Sequence, residues 1–362
     1  TMIALADANN FYCSAERVFN PSLHNEPVIV LSNNDGCVIS RSNEAKALGI
    51  KMAEPLYQIK YLCKKYKVNI FSSNYPLYGD MSQRIMKSLS YFSPEVDIYS
   101  IDEAFINLKG FEYKNLEVYA REIKETVKKW TGVPIALGIA NNKTLAKLAN
   151  HIAKRIKGDG VFQLNSLVQE KVLMQQLEVN EIWGIGKQTQ IKLQRNNIDT
   201  VWDFYQADPL RIRQLLGITG LKTFNDLNGV VIEQLDLEIK DKQNIGSSRS
   251  FSQPALLLET LNSALSNYVM LAAQKLRKQG LYAQAIQVYL STNRHRKDAL
   301  QYQNSLTLPL ISPSNHTGEL ISLAKTVLKL IYRSGYQYQK VGVLLLDLTK
   351  TLQTDLFTPM AN

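Results

Sequence analysis

Residues 98–108 read Ile98-Tyr99-Ser100-Ile101-Asp102-Glu103-Ala104-Phe105-Ile106-Asn107-Leu108, and this stretch decides the fold of the 362-residue chain. Two strand-like apolar pieces, 98–101 and 104–108, flank two adjacent carboxylates, which would repel each other near a core unless a cation or solvent compensated them. Successive strand residues point to opposite faces, so both acids can address one site only if the chain turns there, as at a hairpin tip. A solvated turn is the alternative.

A third acid occupies a similar position near the N-terminus. The apolar run over 2–6 predicts a strand that ends at Asp7, followed by a helix over 11–19 and a strand over 27–31. Asp7 by itself could simply cap that helix. Together with Asp102 and Glu103 it would place three carboxylates at two neighbouring strand ends, a set that suits Mg²⁺ and two-metal phosphoryl transfer.

Strands and helices alternate along the first 165 residues. A helix over 116–130, a strand over 134–140 and a helix over 143–156 follow the acidic stretch, which predicts an α/β or α+β core. Residues 51–66 are mixed and basic and indicate part of an inserted subdomain.

Residues 166–233 predict a small helical domain. Its segment Gly184-Ile185-Gly186-Lys187 superficially resembles a phosphate loop, but the Walker pattern fails because position 181 is Glu and Gln follows Lys187. What remains is a Gly-x-Gly turn between predicted helices over 178–182 and 189–195. Its backbone N–H groups could hold a DNA phosphate, and a plain helix C-cap is the alternative.

The C-terminal third differs in charge. Residues 234–244 are polar and predict a linker, and residues 245–350 show a βαββαβ order with twelve basic and four acidic residues, most of the chain's net charge of +10. This balance favours a polyanionic partner, with nucleic acid ahead of a membrane surface. A stripe on the last helix, Lys325, Lys329 and Arg333, indicates a solvated face. Better phosphate candidates, on or beside strands, are Arg249, Arg294, Arg296 and Lys340.

Five motifs in chain order carry a family resemblance. They are Asp7-Ala8-Asn9-Asn10-Phe11-Tyr12, Asn43-Glu44-Ala45-Lys46-Ala47-Leu48-Gly49, Ser100-Ile101-Asp102-Glu103-Ala104-Phe105, residues 138–149 (Gly-Ile-Ala-Asn-Asn-Lys-Thr-Leu-Ala-Lys-Leu-Ala) and Gly184-Ile185-Gly186. The chain resembles the Y-family translesion DNA polymerases over essentially residues 2–350. Residues 32–38 (Ser-Asn-Asn-Asp-Gly-Cys-Val) and 72–75 (Ser-Ser-Asn-Tyr) look like those of UmuC-type members, the catalytic subunits of bacterial DNA polymerase V.

The resemblance implies an α/β (α+β) multidomain fold, a polymerase right hand of palm, fingers and thumb with a βαββαβ little finger. The implied boundaries are palm 1–31 and 72–165, fingers 32–71, helix-hairpin-helix thumb 166–233, linker 234–244, little finger 245–350 and tail 351–362.

The resemblance also implies residue roles. Asp7, Asp102 and Glu103 would bind two Mg²⁺ ions, with the carbonyl of Ala8 as a further ligand, and Tyr12 would be the steric gate against ribonucleotides. The implied nucleotide contacts are Tyr12, Gly36, Cys37, Val38, Ile39, Asn43, Lys46 and Lys154. The implied DNA contacts are Gly184, Gly186, Lys187 and the four phosphate candidates above. Many members have Tyr-Glu-Ala-Arg where this chain has Asn43-Glu44-Ala45-Lys46, so a bidentate triphosphate clamp becomes a point charge.

The expected function is template-directed, error-prone DNA synthesis past lesions in the bacterial SOS response. A primer 3′-OH would attack the α-phosphate of a dNTP, and no stretch of ~150 residues remains for a proofreading domain. Two alternatives stay open: another two-metal enzyme on a palm fold, such as a nucleotidyl cyclase, or a non-catalytic DNA-binding scaffold. A cyclase would not need the helix-hairpin-helix or the basic terminal domain, and the intact acids argue against a scaffold.

The expected partners are primer–template DNA and dNTP and, by resemblance, a processed UmuD-type dimer and a RecA filament. Residues 353–357 look like the bacterial sliding-clamp-binding pentapeptide, with Gln353, Leu356 and Phe357 as contacts, and a frayed end is the alternative. No ~20-residue apolar span or secretion leader is predicted, so we expect a bacterial cytoplasmic, nucleoid-associated protein. UmuC-type chains usually extend several tens of residues further, which implies a truncated chain or a short relative.

Overall fold

The computed structural model describes residues 2–230 and 244–350, and each of these two ranges belongs to a separate compact unit. The predicted tail lies outside the described residues, as does the predicted linker apart from Asn244. No helix in the described ranges is long and apolar enough to cross a membrane.

The first unit interleaves helices and strands. In chain order they are β1 (Ile3–Ala8), α1 (Phe11–Phe19), β2 (Val28–Leu31), β3 (Val38–Arg41), α2 (Asn43–Ala47), α3 (Leu56–Lys65), β4 (Asn69–Phe71), α4 (Tyr75–Ser90), β5 (Val96–Ile98), β6 (Glu103–Asn107), α5 (Leu116–Thr131), β7 (Ile135–Ala140), α6 (Lys143–Ile152), β8 (Val161–Gln163), α7 (Lys171–Gln176), α8 (Lys187–Gln194), α9 (Val201–Gln206) and α10 (Pro209–Leu227).

A five-stranded sheet in the order β5-β6-β1-β7-β8 is the centre of this unit. Side chains alternate across β1, so Ala4 and Ala6 pack in one core with α1, α4 and α5, whereas Leu5 packs in a second core with α6. Gly138 on β7 permits the close approach of α6, because a Cβ there would lie 2.0 Å from the backbone nitrogen of Asn150. Helices therefore cover both faces of the sheet.

Two smaller structures complete the first unit. A three-stranded sheet in the order β3-β2-β4 packs its buried residues Ile29 and Val38 against Ile59 and Cys63 of α3. Residues 171–227 form α7 to α10, in which a capping box between Thr200 and Asp203 starts α9.

The second unit has the predicted βαββαβ order. Its elements are β9 (Asn244–Ala255), α11 (Leu258–Lys278), β10 (Ala283–Thr292), β11 (Gln303–Ser314), α12 (Thr317–Ile331) and β12 (Tyr338–Leu346). The strands form an antiparallel sheet in the order β11-β10-β12-β9. Apolar residues of one sheet face, among them Val288 and Val343, share a core with both helices.

Several predicted elements are wrong in detail. The strand predicted over 98–101 ends at Ile98, because Tyr99 and Ser100 both donate backbone hydrogen bonds to the carbonyl of Glu103 and form a turn. The helix predicted over 178–182 is a short 3₁₀ turn, Val179–Glu181. The helix predicted over 143–156 ends at Ile152 and continues as a π-helical turn, Ala153–Lys157.

Candidate active site

The three predicted acids lie at adjacent ends of β1 and β6. Asp7 is the cross-strand partner of Glu103, and the backbone N–H of Ala8 donates to the carbonyl of Asp102 at 2.9 Å. Asp102 belongs to the turn of the β5–β6 hairpin, so consecutive acids need not point to opposite faces of a strand. The chain turn that the sequence required for a shared site is therefore present.

Each acid has a polar partner. The ammonium of Lys154, in the π-helical turn after α6, contacts a carboxylate oxygen of Asp7. Lys147, one of the α6 residues, lies 3.2 Å from Glu103, and the hydroxyl of Ser100 donates to Asp102 at 2.8 Å. The π-helical turn is a rare element that is frequent at functional sites, and here it carries a cation to the acidic strand end.

Burial is the main influence on Asp7. It raises the pKa of this carboxyl from 3.8 to about 6, the nearby Lys154 opposes the shift, and the charges of Glu103 and Asp102 add to it. The side chain is only 19% exposed. A buried carboxylate beside two others is stabilised by any added cation.

A cavity of about 660 Å³ opens beside these acids. Four cationic residues line it: Arg41, Lys46, Lys154 and Arg155. Burial is the largest effect on Lys46 and, with the charges of the other three, lowers its pKa from 10.5 to about 8. Such a concentration of positive charge suits a polyanionic ligand.

Asn10 organises one wall of this cavity. Its backbone is left-handed (φ 46°), and its side chain accepts a hydrogen bond from Lys46 at 2.6 Å and donates one to Asn43 at 3.1 Å. Asparagine tolerates this conformation better than most residues. The predicted nucleotide residues Asn43 and Lys46 are thus held together by a residue that was not predicted.

Two buried polar atoms at the cavity lack a hydrogen-bond partner among the described residues. They are the side-chain oxygen of Asn9 and the Nε of Arg41. Unsatisfied buried polar groups are costly and rare in native structures. An acceptor and a donor in this state in the lining of one cavity indicate a place where ligand groups complete the hydrogen bonds.

Tyr12 lines the same cavity and is held by two other tyrosines. Its ring stacks on that of Tyr78 with centroids 4.4 Å apart and planes 18° apart, and it meets Tyr75 edge-on at 6.0 Å. Tyr78 is fully buried, and its hydroxyl donates to Glu16 at 2.9 Å. The Tyr12 ring is consequently positioned by packing from behind.

The four consecutive predicted nucleotide contacts, residues 36–39, occupy different environments. Ile39 lines the cavity, whereas the side chain of Val38 is fully buried in the core beneath β2 and β3, so the predicted nucleotide contact of Val38 would have to come from its backbone. Strand alternation explains the split, because neighbours on β3 face opposite sides. Gly36 and Cys37 are outside the cavity lining.

The Gly-x-Gly turn presents its backbone to solvent. Gly184 (φ 90°), Gly186 and Lys187 are exposed, while the intervening Ile185 is buried and anchors the turn. A Cβ at Gly186 would meet nothing within 4 Å, so the surface is open to a ligand.

The four C-terminal phosphate candidates occupy different places. Lys340 lies on the sheet face that carries Tyr289, but Arg249 pairs in register with Val341, a residue of the helix-covered face. Arg294 and Arg296 are in the β10–β11 connection, where Arg296 forms a 2.7 Å ion pair with Asp298. The stripe residues Lys325 and Lys329 are exposed on α12, as expected for a solvated face.

The acids fit a divalent metal as a donor set. Side chains of Asp7 and Glu103 start from directly paired strand positions, and oxygen ligands are those that Mg²⁺ prefers. Throughout 2–230 and 244–350, however, no three acidic, His or Cys side chains are already gathered closely enough to hold an ion. Lys154 and Lys147 draw two of the carboxylates to themselves, so binding requires these side chains to rotate.

This fold is known from solved proteins. A Y-family DNA polymerase chimera of Dbh and Dpo4 matches with a TM-score of 0.78 over 96% of this chain and 99% of the other, at 20% identity. An insertion ternary complex of Dbh DNA polymerase matches at a TM-score of 0.60 with the same coverage and identity. The architecture is that of the Y-family DNA polymerases.

Similar sequences identify the family of polymerases to which the chain belongs. Residues 6–151 match the impB/mucB/samB family and residues 242–356 match its C-terminal domain. Protein ImpB and Protein UmuC of Salmonella typhimurium are each 40% identical over 96% of this chain and 83% of their own length. DNA polymerase IV 1 of Bacillus subtilis is 30% identical over 76% of this chain and 67% of its own length. The chain belongs to the impB/mucB/samB family and is a UmuC-type Y-family DNA polymerase, an enzyme of translesion DNA synthesis.

Sequence reasoning missed several residues of the site. They are Asn9, Asn10, Arg41, Tyr78, Lys147 and Arg155. Arg155 adjoins the predicted Lys154, and Arg41 lies two residues before the predicted Asn43, so proximity to a motif was the available signal for both.

Proposed function

We propose that Asp7, Asp102 and Glu103, with the carbonyl of Ala8, hold two Mg²⁺ ions for template-directed nucleotidyl transfer. The pairing of Asp7 with Glu103 at the edge of a cation-lined cavity is the observation that carries this assignment. When bound, the ions supply charge stabilisation for a primer 3′-OH attacking the α-phosphate of a dNTP with release of pyrophosphate.

The protein's own groups bind and orient the nucleotide. Lys46 and Lys154, joined by Arg41 and Arg155, neutralise the triphosphate, and Asn10 keeps Lys46 and Asn43 in place. Lys154 would release Asp7 and contact phosphate oxygens instead. The Asp7 carboxylate would then be free to turn toward the metal. Ile39 covers one side of the base, while Tyr12 excludes a 2′-OH because its ring is backed by Tyr78.

DNA contacts and assembly extend beyond this cavity. We assign palm, fingers, thumb and little finger to the boundaries stated above, with phosphate contacts from Gly184, Gly186 and Lys187 and from Lys340. We also propose that the chain, as a UmuC-type polymerase, associates with a UmuD-type dimer, a RecA filament, a sliding clamp and the nucleoid. The clamp contacts Gln353, Leu356 and Phe357 lie outside the described residues.

The substitution Asp102→Ala tests the metal assignment. We expect incorporation to fall at least about a thousandfold, because metal charge stabilisation contributes several kcal/mol and each ~1.4 kcal/mol is tenfold in rate. Primer–template affinity should change less than about twofold. Asp97→Ala is the control, since Asp97 is an exposed acid at the start of the same hairpin, paired with Lys143. Near-normal extension by Asp102→Ala would reject the assignment.

A further inference from the structure

The outward side of α3 carries aromatic rings and lysines. Tyr57 and Tyr61 are 76% and 80% exposed. Lys60 and Lys64 are exposed at the intervening helical positions, so the four side chains share one arc of about 100°. We call these four residues the α3 face.

Packing holds this face outward. On the opposite side of the helix, Ile59 and Cys63 are buried in a core with Ile29 and Val38 of the three-stranded sheet. The two tyrosines are therefore exposed on an anchored helix of ten residues. Because the helix backbone is already anchored, binding a partner would order only the tyrosine side chains and not the segment that carries them.

The sequence around the α3 face is predominantly basic. Residues 51–67 contain five lysines and a single acid, Glu54. Across the described part of the chain, Lys60, Lys64 and Lys67 form no ion pair within 4 Å. Tyr66 follows the helix, 47% exposed, with the ammonium of Lys65 5.2 Å from its ring. A surface of this composition is complementary to a polyanion that also offers flat apolar groups.

We propose that the α3 face binds single-stranded DNA and that, in this polymerase, it holds the unpaired template strand. Exposed rings stack on unpaired bases without reading their sequence, while ammonium groups contact the phosphates. Duplex DNA has its base faces occupied, so the rings would add nothing to its binding. An acidic protein surface would use Lys60 and Lys64 but leave both rings in water.

The test compares two primer–templates with the same duplex, one with a single unpaired template nucleotide and one with ten. Labelled-primer anisotropy with the full chain should show tighter binding of the long overhang. The double variant Tyr57→Ala/Tyr61→Ala should lose this advantage, with about tenfold or more weaker binding of the long overhang and no change for the short one. Tyr113→Ala is the matched control, because Tyr113 is 79% exposed outside the α3 face.

A second variant separates stacking from simple charge attraction. Lys60→Gln/Lys64→Gln should lower the slope of log affinity against log salt by about 1.4 for the long overhang. The proposal fails if the tyrosine variant keeps the parent's overhang advantage. It also fails if only the lysine variant loses binding, a result that would point to an acidic partner. The Asp102→Ala protein should keep the overhang advantage, so failure of the metal assignment is distinguishable.

Discussion

The active-site cavity and the open face of the C-terminal sheet are both expected to bind phosphates, yet they hold charge differently. The cavity gathers four cations beside three carboxylates. Tyr289 lies on the sheet face that is turned away from α11 and α12. Among the described strand residues that pair across this face, Lys340 is the only charged one. Net charge therefore does not locate a binding surface, whereas burial and clustering do.

Most other cations in the described part of the second unit lie elsewhere. They occupy the end of α11 (Lys275, Arg277 and Lys278), the β10–β11 connection (Arg294, Arg296 and Lys297) and α12 (Lys325 and Lys329). The open face instead has Tyr289 lying over Gly342, where a Cβ would come within 2.4 Å of the ring. Solvated charges spread over helices and loops contribute long-range attraction that salt screens.

Among the substitutions that test this contrast between the cavity and the open sheet face, Arg41→Gln in the cavity is expected to have the largest effect. Loss of a charged hydrogen bond to the triphosphate costs about 1.5–3 kcal/mol, so kcat/KM for dNTP should fall roughly 10- to 100-fold in steady-state extension. Arg121→Gln, which removes a half-exposed ion pair with Asp159, should change kcat/KM less than about twofold. Equal effects of the two substitutions would contradict the contrast.

Discrimination between ribonucleotides and dNTPs tests whether the cavity wall at Tyr12 is rigid. Tyr12→Ala should raise ribonucleotide incorporation relative to dNTP by about tenfold or more, since it opens space for the 2′-OH. Tyr78→Leu should raise it by a smaller factor, because Tyr12 loses its stacking partner but keeps its ring. Tyr78→Phe retains the stack and serves as the control. Unchanged sugar discrimination in Tyr12→Ala would return this ring to a purely structural role.

Clustering also predicts a pH effect. Lys46, facing Arg41, Lys154, Arg155 and Cys13, has a pKa lowered to about 8, so its ammonium is present below this pH and is lost above it. Between pH 7 and 9 the charged fraction falls about tenfold. The ratio of kcat/KM of the parent to that of Lys46→Arg, which stays charged, should fall by up to that factor. A constant ratio would show that Lys46 does not contact the triphosphate as a cation.

The smallest effect is expected on the open sheet face. Lys340→Gln should lower the slope of log affinity against log salt by about 0.9 for primer–template with a short overhang, as for one phosphate contact. Lys325→Gln on α12 should leave the slope unchanged. A slope change in Lys325→Gln alone would transfer the phosphate contact from the sheet to the helix.

Much of the fold was readable from local pattern. The βαββαβ order followed from apolar periodicity, and the acids at strand ends followed from short apolar runs that stop at a carboxylate. The predicted boundaries of elements were wrong where backbone hydrogen bonds outweighed the local secondary-structure propensity. The predicted strand over 98–101 ends at Ile98 and turns there, because the N–H groups of Tyr99 and Ser100 bond to the Glu103 carbonyl.

By itself, the sequence determined the element order, the family motifs and the candidate acids, because these depend on residue type and spacing along the chain. Only the tertiary structure decided that Asp7 pairs with Glu103, that Lys46 joins three other cations and that Tyr78 backs Tyr12. It also separated Val38 from Ile39 and turned the rings of α3 outward. These relations join residues far apart in the chain through strand pairing and burial, which no local pattern specifies.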